Sequence, residues 1–386
     1  MDAFQFQNIN NLIVGSGSLS HLANECHRLA ISHALLVTDQ GIIQQNLHLQ
    51  ILSLFENTHI QMTLYTDVRA DPPEHVVLEA VEFAKQHGIN GVIGLGGGSS
   101  LDVAKLIALL SHPTQQQTLS EIYGVNQIQG KRLPLIQIPT TAGTGSEVTA
   151  VAIVTTGVTT KSGIVSPTLY ADTAILDATL TLNLPPHITA ATGIDAMVHA
   201  IEAFTSAHKK NPYSDMLAKQ ALYLLNRALP TVLAHPQDLN ARQDMLFGAM
   251  LAGQAFANAP VAAVHALAYP LGGHCHLSHG HSNALVLSEV LRFNLETAYL
   301  DYAELMIVLH PHATGDSMVL AQQFIQHIQK LCDDSGLILK LKHLNITEEL
   351  LPTLAKDAML QTRLLVNNPR PMTEQDALNI YKAVYA

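Results

Sequence analysis

Two residues with metal-binding side chains lie four positions apart in a stretch whose pattern predicts a helix. Asp195 and His199 belong to residues 194–204, and this spacing places them on one face of a helix. Residues 245–288 follow with five histidines and no Asp, Glu, Lys or Arg: His265, His274, His276, His279 and His281. One carboxylate with three imidazoles suits Fe(II), Zn(II) or a similar divalent metal and leaves a position open for substrate. The pattern therefore predicts a metal site, with ordinary core packing as the alternative for any single histidine.

A glycine-rich turn joins a predicted strand directly to a predicted helix. Residues 94–100 read Gly-Leu-Gly-Gly-Gly-Ser-Ser. Glycines let the backbone approach a phosphate closely, and the free N–H groups at the start of a helix favour an anion. The turn indicates phosphate binding, with a plain tight turn as the alternative, since the GxGxxG fingerprint is absent.

Two further features are typical of a bound dinucleotide. Asp39 follows an apolar strand, where a carboxylate can accept hydrogen bonds from a ribose and repel a 2′-phosphate, which favours NAD over NADP; helix capping is the alternative. Residues 139–149 read Pro-Thr-Thr-Ala-Gly-Thr-Gly-Ser-Glu-Val-Thr. The hydroxyls of Thr140, Thr141 and Thr144 suit phosphate and ribose contacts, with a structural turn rich in Ser and Thr as the alternative.

The elements that must position these residues change in type along the chain. In the first half, apolar runs that predict strands alternate with helical patterns, as a parallel α/β sheet requires. The predicted strands are residues 33–38, 61–65, 91–95 and 133–138, and the predicted helices are residues 17–30, 74–87 and 101–110. Beyond Leu184-Pro-Pro the predicted elements are amphipathic helices over residues 189–206, 212–229, 241–257, 318–335 and 373–386. The sequence therefore predicts a Rossmann-like α/β domain over residues 1–183 and an all-helical domain over residues 184–386.

Composition excludes several classes of partner. The 386 residues include 48% apolar and 13% charged residues, and the net charge is −11 with His neutral. Without a cluster of basic residues, neither nucleic acid nor a membrane surface is an expected partner. The uncharged window at residues 245–288 lacks a clean run of about 20 apolar residues and is interpreted as buried helices. Three scattered cysteines and an N-terminus without a secretory pattern predict a cytoplasmic protein.

Taken together, these stretches resemble the iron-containing (group III) alcohol dehydrogenase family. The resemblance covers nearly the whole chain, and the order of its motifs is highly specific. The motifs are Gly-Gly-Gly-Ser-Ser-Leu-Asp-Val-Ala-Lys at residues 96–105, the loop at residues 139–149, residues 193–204 with Asn211-Pro212, residues 265–283, and Asn-Pro-Arg-Pro-Met-Thr-Glu-Gln-Asp at residues 368–376.

The resemblance implies a nucleotide-binding domain and an all-helical domain, the architecture shared with the dehydroquinate synthases, with NAD(P) and one divalent metal in the cleft between them. The metal ligands that it implies are Asp195, His199, His265 and His279. The cofactor-binding residues that it implies are Gly97, Gly98, Ser99 and Asp102, then Thr140, Thr141, Thr144 and Thr149, and Lys161 beside the nicotinamide ribose. Asp39 remains the candidate for the adenosine ribose.

Two positions depart from the family pattern. Many members carry a histidine four residues after the third ligand, where this chain has Tyr269, and the usual proline before the fourth ligand is Ser278. Tyr269 leaves the proton path open between water, Tyr269 itself and His274. Both Tyr269 and His274 are therefore candidate catalytic residues.

The expected activity is hydride transfer between NAD(H) and a small alcohol or aldehyde, with Fe(II) as the first candidate metal and a homodimer or higher homo-oligomer as the assembly. One alternative is a maleylacetate reductase, which typically carries Tyr-Ala-Gly-Ser-Glu where residues 143–147 here read Gly-Thr-Gly-Ser-Glu. Another is an NAD- and metal-dependent lyase or cyclase of the dehydroquinate synthase type. That chemistry needs several Lys and Arg for a phosphorylated acidic substrate, and residues 245–288 contain none.

Overall fold

A computed structural model of the protein describes residues 3–157 and 160–386. The chain forms two compact units, one spanning Gln7–Leu184 and the other spanning Pro185 to Ala386 with the first residues up to Phe6. The first unit contains parallel strands and helices, whereas the second is helical. This is the fold class that the sequence predicts.

The first unit is built on a six-stranded parallel sheet in the order β1-β9-β6-β4-β2-β3. A smaller sheet has the order β5-β8-β7. The strands are β1 Asn11–Val14, β2 His33–Asp39, β3 Gln61–Val68, β4 Gly91–Gly96, β5 Gly124–Val125, β6 Leu135–Pro139, β7 Val151–Thr156, β8 Thr160–Val165 and β9 Thr173–Leu176. The helices of this unit are α1 Leu22–Arg28, α2 Gln40–Gln44, α3 Leu47–Ser53, α4 Glu74–Gln86 and α5 Gly98–Leu110.

The order of the strands explains why the predicted cofactor residues are neighbours. The adjacent strands β2, β4 and β6 are parallel, so their carboxyl ends lie at one edge of the sheet. Asp39 ends β2, and the glycine-rich turn lies at the end of β4. Residues 139–149, called here the threonine-rich loop, begin at the end of β6. In open α/β sheets this edge is where ligands bind.

The helix α5 differs from its predicted form. Leu101, Ala104, Ile107 and Ala108 have the spacing of one helix face, which predicts packing of that face on the sheet. In the structure every residue from Ser100 to Leu110 except Asp102 is buried. The sheet covers one side, and α4 and β7 pack on α5 as well. A helix that is covered on several sides is apolar on most of its surface, and the buried Lys105 is the exception in α5.

The second unit consists of helices that pack around a core of their own. They are α6 Pro186–Thr205, α7 Pro212–Ala234, α8 Leu239–Asn258, α9 Ala263–Cys275, α10 His279–Leu309, α11 Ser317–Asp334, α12 Leu351–Ala358, α13 Thr362–Leu365 and α14 Glu374–Tyr385. α6 packs against α7, α8 and α10, and α9 packs against α10 and α12. These contacts bring α6, α9 and α10 together, and these three helices carry the predicted metal ligands.

Among the described residues, no single helix is long and apolar enough to cross a membrane. Together α8 and α9 have the length and apolar composition of a span, but they bend by 106° at the break between them.

Candidate active site

Four candidate metal ligands converge inside the helical unit. α6 supplies Asp195 and His199 one turn apart, α9 supplies His265, and α10 begins with His279. One donor atom from each lies within 4.8 Å of the others. The individual separations are 3.0 Å between His199 Nε2 and His265 Nε2, and 3.9, 3.9 and 3.5 Å from Asp195 Oδ1 to Nε2 of His199, His265 and His279.

A glycine allows the helix that carries His279 to approach the helix that carries Asp195. Gly280 is the second residue of α10, and a Cβ at this position would overlap the backbone carbonyl of Ala191 in α6. Because any larger residue would push the two helices apart, this contact fixes the distance between two of the ligands.

The cluster is shielded from water on most sides. Asp195, His199 and His265 are buried, whereas the side chain of His279 is 28% exposed, which leaves one accessible side. Burial alone would raise the pKa of the Asp195 carboxyl, but His199, His279, His265 and the Asn283 amide together bring that pKa below its usual value. Asp195 is therefore a carboxylate at neutral pH, as a metal ligand must be.

The donor set fits a divalent metal. Two imidazole nitrogens 3.0 Å apart, those of His199 and His265, are close to the roughly 3.3 Å separation expected of two tetrahedral ligands with metal–nitrogen bonds of about 2.0–2.1 Å. His265 Nδ1 lies 2.7 Å from the Glu202 carboxylate, which can only accept a hydrogen bond. The proton of His265 is therefore on Nδ1, and its Nε2 presents a lone pair to the cluster.

Aromatic rings border the cluster. The ring of Phe256 stacks on His199 with centroids 4.4 Å apart, so it covers one face of that ligand. The ring of Tyr269, one turn beyond His265 on α9, lies 5.9 Å from the ring of His279. The structure thus places Tyr269 beside the most exposed of the four ligands.

His274, the second candidate for the proton path, forms a pair with a carboxylate. His274 Nε2 lies 2.6 Å from Asp357 Oδ2, and this pair links α9 to α12. A carboxylate at this distance orients the imidazole ring.

In the other unit, the glycine-rich turn has the geometry of an anion site. Gly96 at the end of β4 has a φ of 144°, which favours glycine, and Gly97 is the N-cap of α5. A Cβ on Gly98 would lie 2.7 Å from the side chain of Thr144, and one on Gly97 would touch Thr141. The missing side chains therefore let the threonine-rich loop lie directly against the start of α5.

Asp39 serves the protein itself and retains acceptor capacity. Its Oδ1 accepts hydrogen bonds from the backbone N–H groups of Gly41 and Ile42, so the helix-capping alternative is observed. Its Oδ2 accepts one bond, from Ser100 Oγ at 2.9 Å. A carboxylate has about four lone-pair sites, so Oδ2 can accept another hydrogen bond.

The other loop residues contact the protein in different ways. Thr140 donates its backbone N–H to Gly96 O, and Thr144 Oγ1 accepts from the backbone of Ser146. Ser99 Oγ accepts from the backbone N–H of Asp71. The bond between Thr140 and Gly96 therefore joins the two loops, whereas Ser99 binds the segment after β3.

Asp102 and Thr149 belong to a buried network around Lys105. Lys105 is the last residue of the motif at residues 96–105, but the sequence did not indicate its role. The Lys105 ammonium is fully buried and has four acceptors: Val151 O at 2.6 Å, Ser146 Oγ at 2.7 Å, Asp102 Oδ1 at 3.3 Å and Thr149 Oγ1 at 3.3 Å. Asp102 also accepts from Ser146 Oγ and from the backbone of Ile153. The network ties α5 to the threonine-rich loop and to β7.

Burial dominates the electrostatics of this network. It lowers the pKa of Lys105, against the opposing effect of the Asp102 and Glu147 carboxylates. It also raises the pKa of the buried Glu147 carboxyl to about 7, although Lys105 opposes the shift.

Lys161, predicted beside the nicotinamide ribose, lies on β8 and forms an ion pair with Asp71. The two atoms, Lys161 Nζ and Asp71 Oδ1, are 2.5 Å apart. Asp71 has a φ of 50° and accepts a hydrogen bond on its backbone carbonyl from Thr155 Oγ1. The ion pair therefore lies between the small sheet and the segment that contacts Ser99.

Comparison with known families identifies the chain. Residues 10–178 match the family model described as iron-containing alcohol dehydrogenase, and residues 189–385 match the model of the C-terminal part of the Fe-containing alcohol dehydrogenase family. The chain belongs to the iron-containing alcohol dehydrogenase family. Its members are oxidoreductases of alcohols and aldehydes, and this confirms the family and the class of enzyme that the motifs predict.

Relatives within the iron-containing alcohol dehydrogenase family agree over almost the full length. Long-chain-alcohol dehydrogenase 1 of Geobacillus thermodenitrificans is 40% identical over 97% of this chain and 94% of its own. The structure of a 1,3-propanediol oxidoreductase covers 100% of both chains with a TM-score of 0.95 and 31% identity. A sulfoacetaldehyde reductase from Bifidobacterium kashiwanohense, solved in complex with NAD+, covers 100% of both chains with a TM-score of 0.89 and 27% identity. The maleylacetate reductase and lyase alternatives are not favoured.

Two residues beside the candidate metal ligands of this alcohol dehydrogenase were not singled out from the sequence. Asn283 donates from Nδ2 to Asp195 Oδ1 at 2.5 Å and lies one turn after His279. Glu202 hydrogen-bonds to His265 and lies three residues after His199. The spacing of Asp195, His199 and Glu202 along one helix face is the signal that was available.

Proposed function

We propose that the protein is a metal-dependent oxidoreductase that transfers hydride between NAD(H) and a small alcohol or aldehyde. The observation that carries this proposal is the convergence of Asp195, His199, His265 and His279, whose donor atoms lie within 4.8 Å of one another in a family of alcohol dehydrogenases. We assign the metal to these four residues in the domain of residues 184–386, and the dinucleotide to the domain of residues 1–183.

The residues of the cluster have two roles: some would bind the metal, and others shield it from water. A divalent metal, when bound, supplies a Lewis acid that polarises a carbonyl or favours ionisation of an alcohol, while NAD(H) accepts or donates the hydride. Asp195 contributes the negative charge, and the three imidazoles contribute neutral donors. Phe256 keeps water from one face of His199, and the exposed side of His279 gives substrate a path of entry.

The dinucleotide-binding part of the proposal rests on the first unit. Gly97, Gly98 and Ser99 offer backbone N–H groups at the start of α5 for the pyrophosphate. The threonine-rich loop, with Thr140, Thr141, Thr144 and Thr149, borders this turn, and Asp102 and Lys105 hold it in place. Lys161 would donate to the nicotinamide ribose in exchange for part of its contact with Asp71.

Two measurements test the activity and the metal together. Protein that has been loaded anaerobically with Fe(II) is assayed with NADH and a panel of C2 to C6 aldehydes, alcohols and diols, and its metal is counted by mass spectrometry. We expect turnover of at least one aldehyde and one metal per chain. Bound metal without turnover of any substrate in the panel would contradict the proposed activity.

We also propose Fe(II) as the resident metal, a homodimer as the assembly and the cytoplasm as the location. All three cysteines, Cys26, Cys275 and Cys332, are free thiols, which suits a reducing compartment. Light scattering after gel filtration tests the assembly, and comparison of kcat/KM after loading with Fe(II), Zn(II) or Mn(II) tests the metal.

Replacing Asp39 with glycine should relax the preference for NAD. Removal of the carboxylate removes its repulsion of a 2′-phosphate, so the ratio of kcat/KM for NADP to that for NAD should rise by about tenfold or more. Glycine is tolerated as an N-cap at a cost of a few tenths of a kcal/mol, so α2 should persist. Asp39→Asn removes the charge but keeps an acceptor for the cap, so it separates the effect of the charge from the effect of the cap. A wild-type enzyme that prefers NADP would overturn this assignment.

Replacing Tyr269 with phenylalanine should change kcat only modestly. A phenol with an ordinary pKa near 10 is a poor base at neutral pH, so we propose that Tyr269 shapes the pocket and orders a water. The loss should be smaller than the roughly 10²-fold typical of a true general acid or base, whereas Tyr269→His should change the ranking of substrates and the pH profile.

The converse outcome would assign a different role. A loss of about 10³-fold or more in Tyr269→Phe, at unchanged metal content, would make the phenol part of the proton path. His274, oriented by Asp357, is the other candidate relay, and His274→Gln tests it in the same assay.

A further inference from the structure

Glu202 is a buried carboxylate that joins two of the helices of the metal site. It lies on α6, on the same face as Asp195 and His199, and its side chain is only 5% exposed. Its partners belong to the segment that leads into α9 and to α9 itself. They are the backbone N–H of Ala262 at 3.0 Å, the backbone N–H of Val264 at 2.6 Å and Nδ1 of His265 at 2.7 Å.

This arrangement accounts for the burial of a charge. An isolated carboxylate in the interior is costly, but three donors on its two oxygens compensate that cost. Two of the donors are backbone groups at the start of α9, so the carboxylate fixes the chain immediately before the ligand. The third is the ring of the ligand itself.

The contact with the ring determines which nitrogen of His265 carries the proton. Because an ionised carboxylate only accepts, Nδ1 must donate, and Nε2 is left with its lone pair. Nε2 is the atom that lies 3.0 Å from His199 Nε2 and 3.9 Å from Asp195 Oδ1. The contact with Glu202 thus leaves Nε2 as the nitrogen of His265 that faces the other candidate ligands.

We infer that Glu202 is a positioning residue of the metal site: it fixes the tautomer of His265 and holds the start of α9 against α6. The inference rests on the proposed function, because it concerns the same four ligands. Outer partners of ligating histidines typically change metal affinity by 10- to 100-fold when they are replaced.

Glu202→Gln tests this inference at constant size. A glutamine has one accepting oxygen and one donating amide, so it cannot accept from all three donors. If its oxygen faces His265, its amide opposes a backbone N–H; if its amide faces His265, the ring must move its proton to Nε2, where it blocks metal binding.

The experiment measures affinity as well as activity. Metal-free protein is titrated with Co(II) in competition with a chelator, and we expect the dissociation constant of Glu202→Gln to rise by about 10- to 100-fold. Excess Co(II) should restore most of kcat, with KM for the aldehyde unchanged. Glu202→Asp, which keeps the charge but shortens the side chain, should give an intermediate affinity.

Asp177→Asn is the matched control. Asp177 is also a buried carboxylate with three donors, from the backbone of Leu19 and from both the backbone and the hydroxyl of Thr179, but it lies in the other unit. This variant should lose stability without losing affinity for Co(II). An equal loss of affinity in both variants would show a general effect of instability and overturn the inference.

The remaining outcomes separate the inference from the proposed function. Wild-type affinity in Glu202→Gln would overturn the role of Glu202 and leave the metal site standing, whereas wild-type protein that binds no Co(II) would overturn both. If Glu202→Gln does not fold, nitrogen-15 NMR of histidine-labelled, metal-free wild-type protein decides, with His265→Gln to assign the signal. A proton on Nδ1 of His265 is expected, and a proton on Nε2 overturns the inference.

Discussion

The His265→Ala protein should contain far less metal than the wild type and lose activity by orders of magnitude. The substitution removes one of three imidazole donors and also takes away one of the three hydrogen-bond partners of the buried Glu202 carboxylate. The Lewis acid is worth several kcal/mol of transition-state stabilisation, and about 4 kcal/mol corresponds to roughly 10³-fold in rate. Metal per chain is measured by mass spectrometry, and kcat/KM is measured with NADH and the best aldehyde of the panel.

A nearby histidine provides the control for this substitution. His281 lies in the same histidine-rich stretch, two residues after His279, but it is only half-buried, and its ring makes a surface contact with the carbonyl oxygen of Ile338. His281→Ala should keep the wild-type metal content and activity. Full activity in metal-free His265→Ala protein would refute the metal site.

The candidate metal ligands could be predicted from the sequence, but the limits of one of the helices that carry them could not. The four-residue spacing of Asp195 and His199 is a local signal, and the resemblance supplied His265 and His279. The start of α10, a 31-residue helix from His279, falls in the window interpreted as buried helices, but its limits were not predicted. Most residues in its first turns are buried, so the alternation of polar and apolar residues that reveals a helix is absent there.

Strand prediction succeeded where the signal is local and failed where it is not. β2, β4 and β6 are buried apolar runs between turn residues, and the structure has each of them within two residues of its predicted limits. β1 has only four residues and pairs with β9, more than 150 residues away. The strands β7 and β8 are rich in Thr and Ser, and such a composition does not indicate which strand each of them pairs with.

Glu202 and Lys105 were not predicted as buried polar residues because most of their hydrogen-bond partners are distant in the sequence. Glu202 binds backbone N–H groups of Ala262 and Val264, which carry no signature in a sequence. Lys105 lies in a motif whose glycines drew attention to phosphate binding, and its acceptors are 41 to 46 residues away, except for Asp102. Only the folded chain shows that Glu202 binds the start of α9 and that Lys105 ties α5 to the threonine-rich loop.

Lys105→Met should therefore destabilise the protein by about 3–5 kcal/mol, the range expected when one partner of a buried ion pair is removed. Methionine fills a similar volume but donates no hydrogen bond, so Val151 O loses its donor and the Asp102 carboxylate loses its cation. The free energy of unfolding is measured by urea titration. Affinity for NAD should fall as well, because Ser146 and Thr149 would no longer be tied to α5.

An exposed ion pair supplies the contrast. Lys330 and Asp334 pair at 2.6 Å on α11, but both side chains are mostly exposed, so Lys330→Met should lower the free energy of unfolding far less than Lys105→Met does. If Lys105→Met were as mild, the buried network would contribute little to the stability of the first unit. If Lys105→Met unfolded more easily but bound NAD as tightly as the wild type, the network would support the fold without shaping the threonine-rich loop. The combination of a large loss of stability and weaker NAD binding is what the geometry around Lys105 requires.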